Sequence, residues 1–200
     1  MTFQRSRGGQ VALRQFTDAM DAAVAAELSC ADLAEEAEQR LHALLSGPGF
    51  LTEAERAPKH DCYAQHVVHV HPLGAYSLVS LVWLPDQVTP IHDHRCWCVV
   101  GVLEGREHET RYELRQGGSG PTLLRGESTV NEPGDVCRLV PPEENIHQVA
   151  NAGDHMAVSL HVYGADIARL GTSINQIFDH EVETESTSPG RVLSWRGRQE

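Results

Sequence analysis

Past His60 the apolar residues of this chain change period, and that change limits the fold more than any other feature. Short apolar runs follow one another at 65–70, 76–84, 96–104, 107–115, 122–130, 135–140, 146–151 and 155–163. Between them stand Gly74, Gly105, Gly117-Gly118-Ser119-Gly120, Glu132-Pro133-Gly134-Asp135 and Asn151-Ala152-Gly153-Asp154. Glycine, proline, asparagine and aspartate each favour turn conformations for their own stereochemical reasons, so these clusters end strands and reverse the chain. Many short strands at near-regular spacing point to an all-β sandwich or barrel.

The N-terminal part obeys a different rule. From about Phe16 to Leu45, Phe16, Met20, Ala23, Val24, Leu33, Ala37, Leu41, Leu44 and Leu45 recur at helical spacing. Ser29-Cys30-Ala31-Asp32 has the form of a capping box opening a second helix, with Asp in place of Glu. Ser46-Gly47-Pro48-Gly49 closes it. Helices of this kind are expected to pack on the outside of a barrel. Residues 1–10 read as disordered. Beyond Phe178 the chain turns polar, with Val192, Leu193 and Trp195 as the residues able to strap back onto the barrel. The expected organisation is one structural domain: a helical segment at 1–58, a barrel at 59–178 and a polar tail at 179–200.

Composition narrows the function. At 200 residues the chain has enough length for one real core, and its net charge of −12 argues against nucleic acid or an anionic membrane as partner. No run approaches the ~18 apolar residues of a membrane span, and no apolar h-region follows MTFQRSRGGQ. A cytoplasmic protein is expected, as a monomer or small homo-oligomer. Its 5 cysteines, with no Cys-x-x-Cys pair, are then free thiols.

His92 and His94 sit two apart, so on an extended strand both imidazoles point to one face. That spacing alone suits a metal pair or two ordinary polar residues equally. A further histidine, His147, begins a later run after Pro141-Pro142 and is followed by Asn151. Together, His-x-His, a glycine after the strand at Gly105, Pro142, His147 and Asn151 resemble the two cupin motifs. The resemblance implies a cupin jelly-roll (double-stranded β-helix) barrel with a metal on His92, His94 and His147. Glu144 stands where the second motif has glycine. Cys98 stands where the first motif has a metal-binding glutamate. Three neutral imidazoles without a carboxylate leave open positions, which suits an Fe(2+) ion that must bind substrate and dioxygen together.

With Cys98 at that position, the chain resembles the thiol dioxygenases, the family of cysteine dioxygenase and mercaptopropionate dioxygenase. Ser159-Leu160-His161-Val162-Tyr163-Gly164 is similar to the family's Ser-His-Tyr segment, and its three polar side chains alternate on one strand face. Buried together, they must satisfy one another by hydrogen bonds. The resemblance implies a catalytic role for Ser159, His161 and Tyr163, and a thioether cross-link between Cys98 and Tyr163. Cys98 as a small apolar core residue is the equal alternative. Tyr63-Ala64-Gln65 is similar to the segment that contacts substrate, with Gln65 offering a neutral donor and Arg95 a second candidate. The implied partners are a small thiol and O2, and the implied product a sulfinic acid. Another metal-dependent cupin enzyme, or a non-catalytic metal- or ligand-binding cupin, remains open at this stage.

Overall fold

Two side-chain caps start the helical layer of the structure, a computed structural model that describes residues 5–47, 49–117, 120–142 and 145–184. Ser6 Oγ accepts from the Gly9 N–H at 3.0 Å and opens α1 (Arg7–Ala25). Ser29 Oγ accepts from the Asp32 N–H at 3.2 Å and opens α2 (Cys30–Leu45), as the capping-box spacing anticipates. The expected disorder of residues 1–10 does not hold from Arg5 onward. Arg5 Nε donates to the Phe50 carbonyl at 2.8 Å and its guanidinium pairs with Glu55. Gly9 lies so close to the Gly49–Phe50 backbone that a Cβ would sit 2.3 Å from the Gly49 oxygen. These contacts join residues some 40 or more apart, so local periodicity carries no trace of them.

The strands form two sheets. The first has the order β1 (Ala64–Val70), β2 (Ser77–Trp83), β9 (Ala157–Tyr163), β4 (Cys98–Glu104) and β7 (Val136–Leu139). The second runs β10 (Ile174–Ile177), β3 (His92–His94), β8 (Ile146–Asn151), β5 (Glu107–Gly117), β6 (Gly120–Asn131) and β11 (Val182–Thr184). Every residue of β2 and β9 is buried, because the first sheet is covered on both faces. Leu78, Val99, Leu160 and Val162 pack outward on Phe16, Met20, Leu41 and Leu44 of the helices. Val79, Leu81, Trp83, Cys98, Val100 and Tyr163 point the other way, into a core shared with Val149 of the second sheet. The period-two alternation of the sequence thus separates a helix-facing layer from a barrel interior.

This is the cupin barrel with an N-terminal helical layer that the sequence resemblance implies. Gly105 shows why its motif needs glycine: φ is +75°, and a Cβ would meet Ala157 at 2.6 Å. The run read at 96–104 differs from expectation in its beginning. His92–His94 forms a separate strand, β3, in the second sheet, and the chain bends at Arg95–Cys96 before Cys98 starts β4 in the first. The short strands β10 and β11 carry no periodic signal of their own; β11 joins β6 from within the segment read as tail. Val192, Leu193 and Trp195 lie outside the described residues. Among the described residues, no helix is long and apolar enough to cross a membrane.

Candidate metal centre

The pairing of β3 with β8 inside the second sheet puts three imidazoles in one place. β3 pairs antiparallel with β8 so that His92 faces His147 across the ladder. His94 is two residues along β3 on the same face. One ring nitrogen from each of the three lies within 4.8 Å of the others, and all three side chains are buried.

What each ring does with its second nitrogen decides whether the first is free. Nδ1 of His92 lies 2.9 Å from the Pro90 carbonyl oxygen. Nδ1 of His94 lies 3.2 Å from Asn145 Oδ1, and the Asn145 amide nitrogen donates to the His94 carbonyl at 3.0 Å, which fixes that amide's orientation. Nδ1 of His147 lies 2.7 Å from Glu109 Oε1. Carbonyl and carboxylate oxygens only accept, so each Nδ1 carries the proton and each Nε2 keeps its lone pair. The set is that of three neutral ligands oriented by outer partners, and it fits a metal ion bound through Nε2.

Electrostatics agrees. Burial, followed by repulsion from His147, pushes the His92 pKa down to about 4. The same causes, with His92 added, push His94 down to about 2. Burial works to raise Glu109, but the His147 hydrogen bond and charge, with help from Arg111, hold that carboxyl below its usual value. A carboxylate charged beside the one imidazole it touches strengthens that imidazole as a ligand.

These depressed values have a consequence for stability. His92, His94 and His161, the last lowered by burial to about 3, bind fewer protons folded than unfolded below their ordinary value of 6.5. Their contribution is complete above about 6.5 and is lost as pH falls towards their folded values. The expected result is a thermal midpoint of the metal-free protein that drops steadily from about pH 6.5 to about pH 4; calorimetry across that range checks it.

Beside the histidines a narrow cavity with an empty volume of ≈ 320 Å³ is lined by Tyr63, Gln65, Trp83, Thr89, Tyr163 and Ser173 among others. His161 and Tyr163 line it, and Ser159 stands behind them on the same face of β9. Ser159 Oγ is 3.1 Å from His161 Nε2, and Tyr163 Oη is 3.1 Å from His161 Nδ1. Ser159 Oγ also accepts from the Trp83 indole N–H at 3.3 Å. The alternation read from the sequence therefore becomes a continuous chain of hydrogen bonds. Cys98 and Tyr163 are direct partners across the β4–β9 ladder, and Cys98 Sγ lies 3.9 Å from His161 Nδ1. Cys98 is a free cysteine here, fully buried, with its thiol pushed up by burial.

Some expected residues fall elsewhere. Arg95 is exposed and donates from Nε to the Ile174 carbonyl at 2.9 Å; it follows His94, so its side chain takes the opposite face and does not line the cavity. Tyr63 stacks on Trp83 at 4.6 Å and Gln65 sits at the exposed edge of the cavity. Asn151 holds a turn, donating to the Trp83 and His155 carbonyls at 3.2 and 2.8 Å, rather than approaching the histidines. Glu109 and Asn145 were not singled out from the sequence. The signal for Glu109 was an acidic residue on the inward parity of a strand.

Among solved structures, the chain is similar to a double-stranded β-helix protein from Klebsiella pneumoniae subsp. pneumoniae MGH 78578, at 18% identity, 57% of this chain, 86% of that one and a TM-score of 0.44. It is similar to the protein TT1209 from Thermus thermophilus at 18% identity, with coverage of 56% and 92% and a TM-score of 0.41. An oxalate oxidase matches at 20% identity, 54% and 53% coverage and a TM-score of 0.41. Residues 23–172 fit the family described as cysteine dioxygenase type I. Three buried imidazoles with a cysteine in place of the cupin carboxylate, and the Ser-His-Tyr chain beside them, lie within that span, and the chain belongs to the cysteine dioxygenase type I family.

Proposed function

We propose that this protein is a non-haem iron(II) thiol dioxygenase, adding both atoms of O2 to the sulfur of a small thiol to give a sulfinic acid. The observation that carries this reading is the neutral three-histidine cluster with Cys98, not a carboxylate, at the fourth cupin position. His92, His94 and His147 would hold the iron through Nε2. Iron bound there supplies the Lewis acidity that keeps a thiol ionised and the redox chemistry that joins sulfur to dioxygen.

The chain's own residues supply position, dryness and proton control. Burial of the three histidines keeps bulk water from the reacting atoms. Tyr163, held by His161, presents its hydroxyl to the cavity and orients the bound thiol or dioxygen. Gln65 contacts the far end of the thiol through a neutral hydrogen bond. The cavity is much smaller than an ordinary ligand pocket, which favours cysteine, 3-mercaptopropionate or cysteamine over a large thiol such as ergothioneine.

Oxygen uptake by iron-loaded protein with those four thiols tests the reading. Uptake with at least one of the small thiols is expected; no uptake with any thiol overturns it in favour of another cupin activity or a binding role. Gln65→Ala is expected to raise KM about fivefold, the value of one neutral hydrogen bond at about 1 kcal/mol, with kcat little changed. Steady-state kinetics on the preferred thiol separates the two constants.

A further inference from the structure

Glu107 precedes Glu109 by two residues on β5 and so shares its inward face. Its side chain is 1% exposed, and neither carboxyl oxygen has a well-formed hydrogen bond among the described residues. A buried carboxylate without a partner is strongly disfavoured unless it has work to do. The polar groups that act on it are the Ser159 hydroxyl and the Trp83 indole N–H. Ser159 is the far end of the chain that runs through His161 to Tyr163 and the cavity.

We propose that Glu107 is the inner terminus of a proton relay, its carboxylate taking up, by way of Tyr163, His161 and Ser159, the proton that a thiol releases on binding in the cavity. The proposal rests on the reading of the site as a thiol dioxygenase.

The donor and acceptor inventory allows one ordered arrangement for each state of Glu107. In the proposed arrangement with Glu107 ionised, Tyr163 O–H donates to His161 Nδ1, His161 Nε2–H donates to Ser159 Oγ, and the Ser159 O–H turns towards the carboxylate to complete the last link. The Trp83 N–H occupies the other lone pair of Ser159, so this hydroxyl has one proton and one lone pair left to link His161 with Glu107. A proton arriving at Tyr163 Oη shifts each bond by one place. The S–H bond of the thiol breaks and an O–H bond forms on Glu107; nothing is oxidised or reduced. One buried negative charge moves from the carboxylate to sulfur, and the Tyr163 O–H is left pointing into the cavity as a donor.

The surroundings suit this task. Burial raises the Glu107 pKa, Ser159 and Trp83 lower it, and repulsion from Glu109 on the same strand raises it again, to a net value of about 7. His161 on β9 is neutral near that pH. Cys137 on β7 is pushed up to about 12 by burial first, then by the charges of Glu109 and Glu107, and stays a thiol. Among these groups only Glu107 changes charge where thiols bind.

Glu107→Gln keeps the shape and a donor to Ser159 but takes no proton, and the iron-loaded proteins are compared without oxygen. Calorimetry of cysteamine and 3-mercaptopropionate binding at about pH 8, in buffers of different ionisation enthalpy, reads the proton released, since free thiols titrate near about 8.5. The negative charge that the thiolate brings into the site raises the Glu107 pKa, so the wild type is expected to release clearly fewer protons to buffer than the variant, which releases about one per thiol bound. The infrared carbonyl band of a buried protonated carboxyl, assigned by its loss in Glu107→Gln, is expected to titrate near neutral pH in the wild type and to shift in Ser159→Ala. Equal proton release by both proteins, or no such band, overturns the relay. If neither thiol binds, the thiol dioxygenase reading fails, and the infrared titration still decides whether Glu107 is a proton-holding group coupled to Ser159. In turnover, kcat of Glu107→Gln is expected to lose its inflection near neutral pH while KM is little changed.

Discussion

His147→Ala is expected to lose iron and oxygen-consuming activity together. In the proposed metal site His147 joins β8 to the β3 pair: it faces His92 across the β3–β8 ladder and takes its orientation from Glu109 at 2.7 Å. Loss of an outer partner of a metal ligand costs roughly 10–100-fold in affinity, and loss of the ligand itself costs more. The truncation also leaves the Glu109 carboxylate, buried and held below its usual pKa by His147, without its main partner. The alanine variant is therefore expected to bind iron more than about 100-fold more weakly and to melt at a lower temperature than the metal-free wild type. Iron content after dialysis, with a parallel thermal scan, checks both. Retention of stoichiometric iron shows that the third ligand is a different residue.

Tyr163→Phe is expected to leave iron in place and reduce kcat on the order of 100-fold, the scale of a positioned proton-transfer group. The ring remains in the interior cluster with Val79, Val100 and Leu139, so packing changes little. What goes is the hydroxyl that bonds His161 Nδ1 at 3.1 Å and faces the cavity. A KM near the wild-type value with a depressed kcat assigns that hydroxyl to the reaction. Full turnover of a non-thiol substrate by the phenylalanine variant favours another cupin enzyme instead.

Much of this site was legible because it is written in strand parity. His92 with His94, and Ser159 with His161 and Tyr163, are each spaced two apart, and the structure puts each set on one face. His147 was found by motif spacing, since no local pattern marks it. The partners that orient the histidines were not legible for a physical reason. Glu109 reaches His147 only because β5 and β8 pair with Arg111 opposite His147, a register no short stretch of sequence encodes. Asn145 reaches His94 across 51 residues. Arg95, a fallback candidate for substrate contact, is instead an exposed residue bonded to the Ile174 carbonyl and does not line the cavity. The helical layer was read from its periodicity, but the start of α1 depends on Arg5 and Gly9 meeting the segment around Phe50. Cys98 combined both kinds of information. Its place in the motif was visible, and its pairing with Tyr163 depends on the crossover from the second sheet to the first.

The central claim is that sulfur receives both atoms of dioxygen at this site. Turnover of the preferred small thiol by iron-loaded protein under isotopically labelled dioxygen, in ordinary water, tests it most directly by the mass of the product. The account predicts a sulfinic acid carrying two labelled oxygen atoms, formed by the wild type and not by His147→Ala. A disulfide, a singly labelled product, or a product whose oxygen comes from water contradicts it.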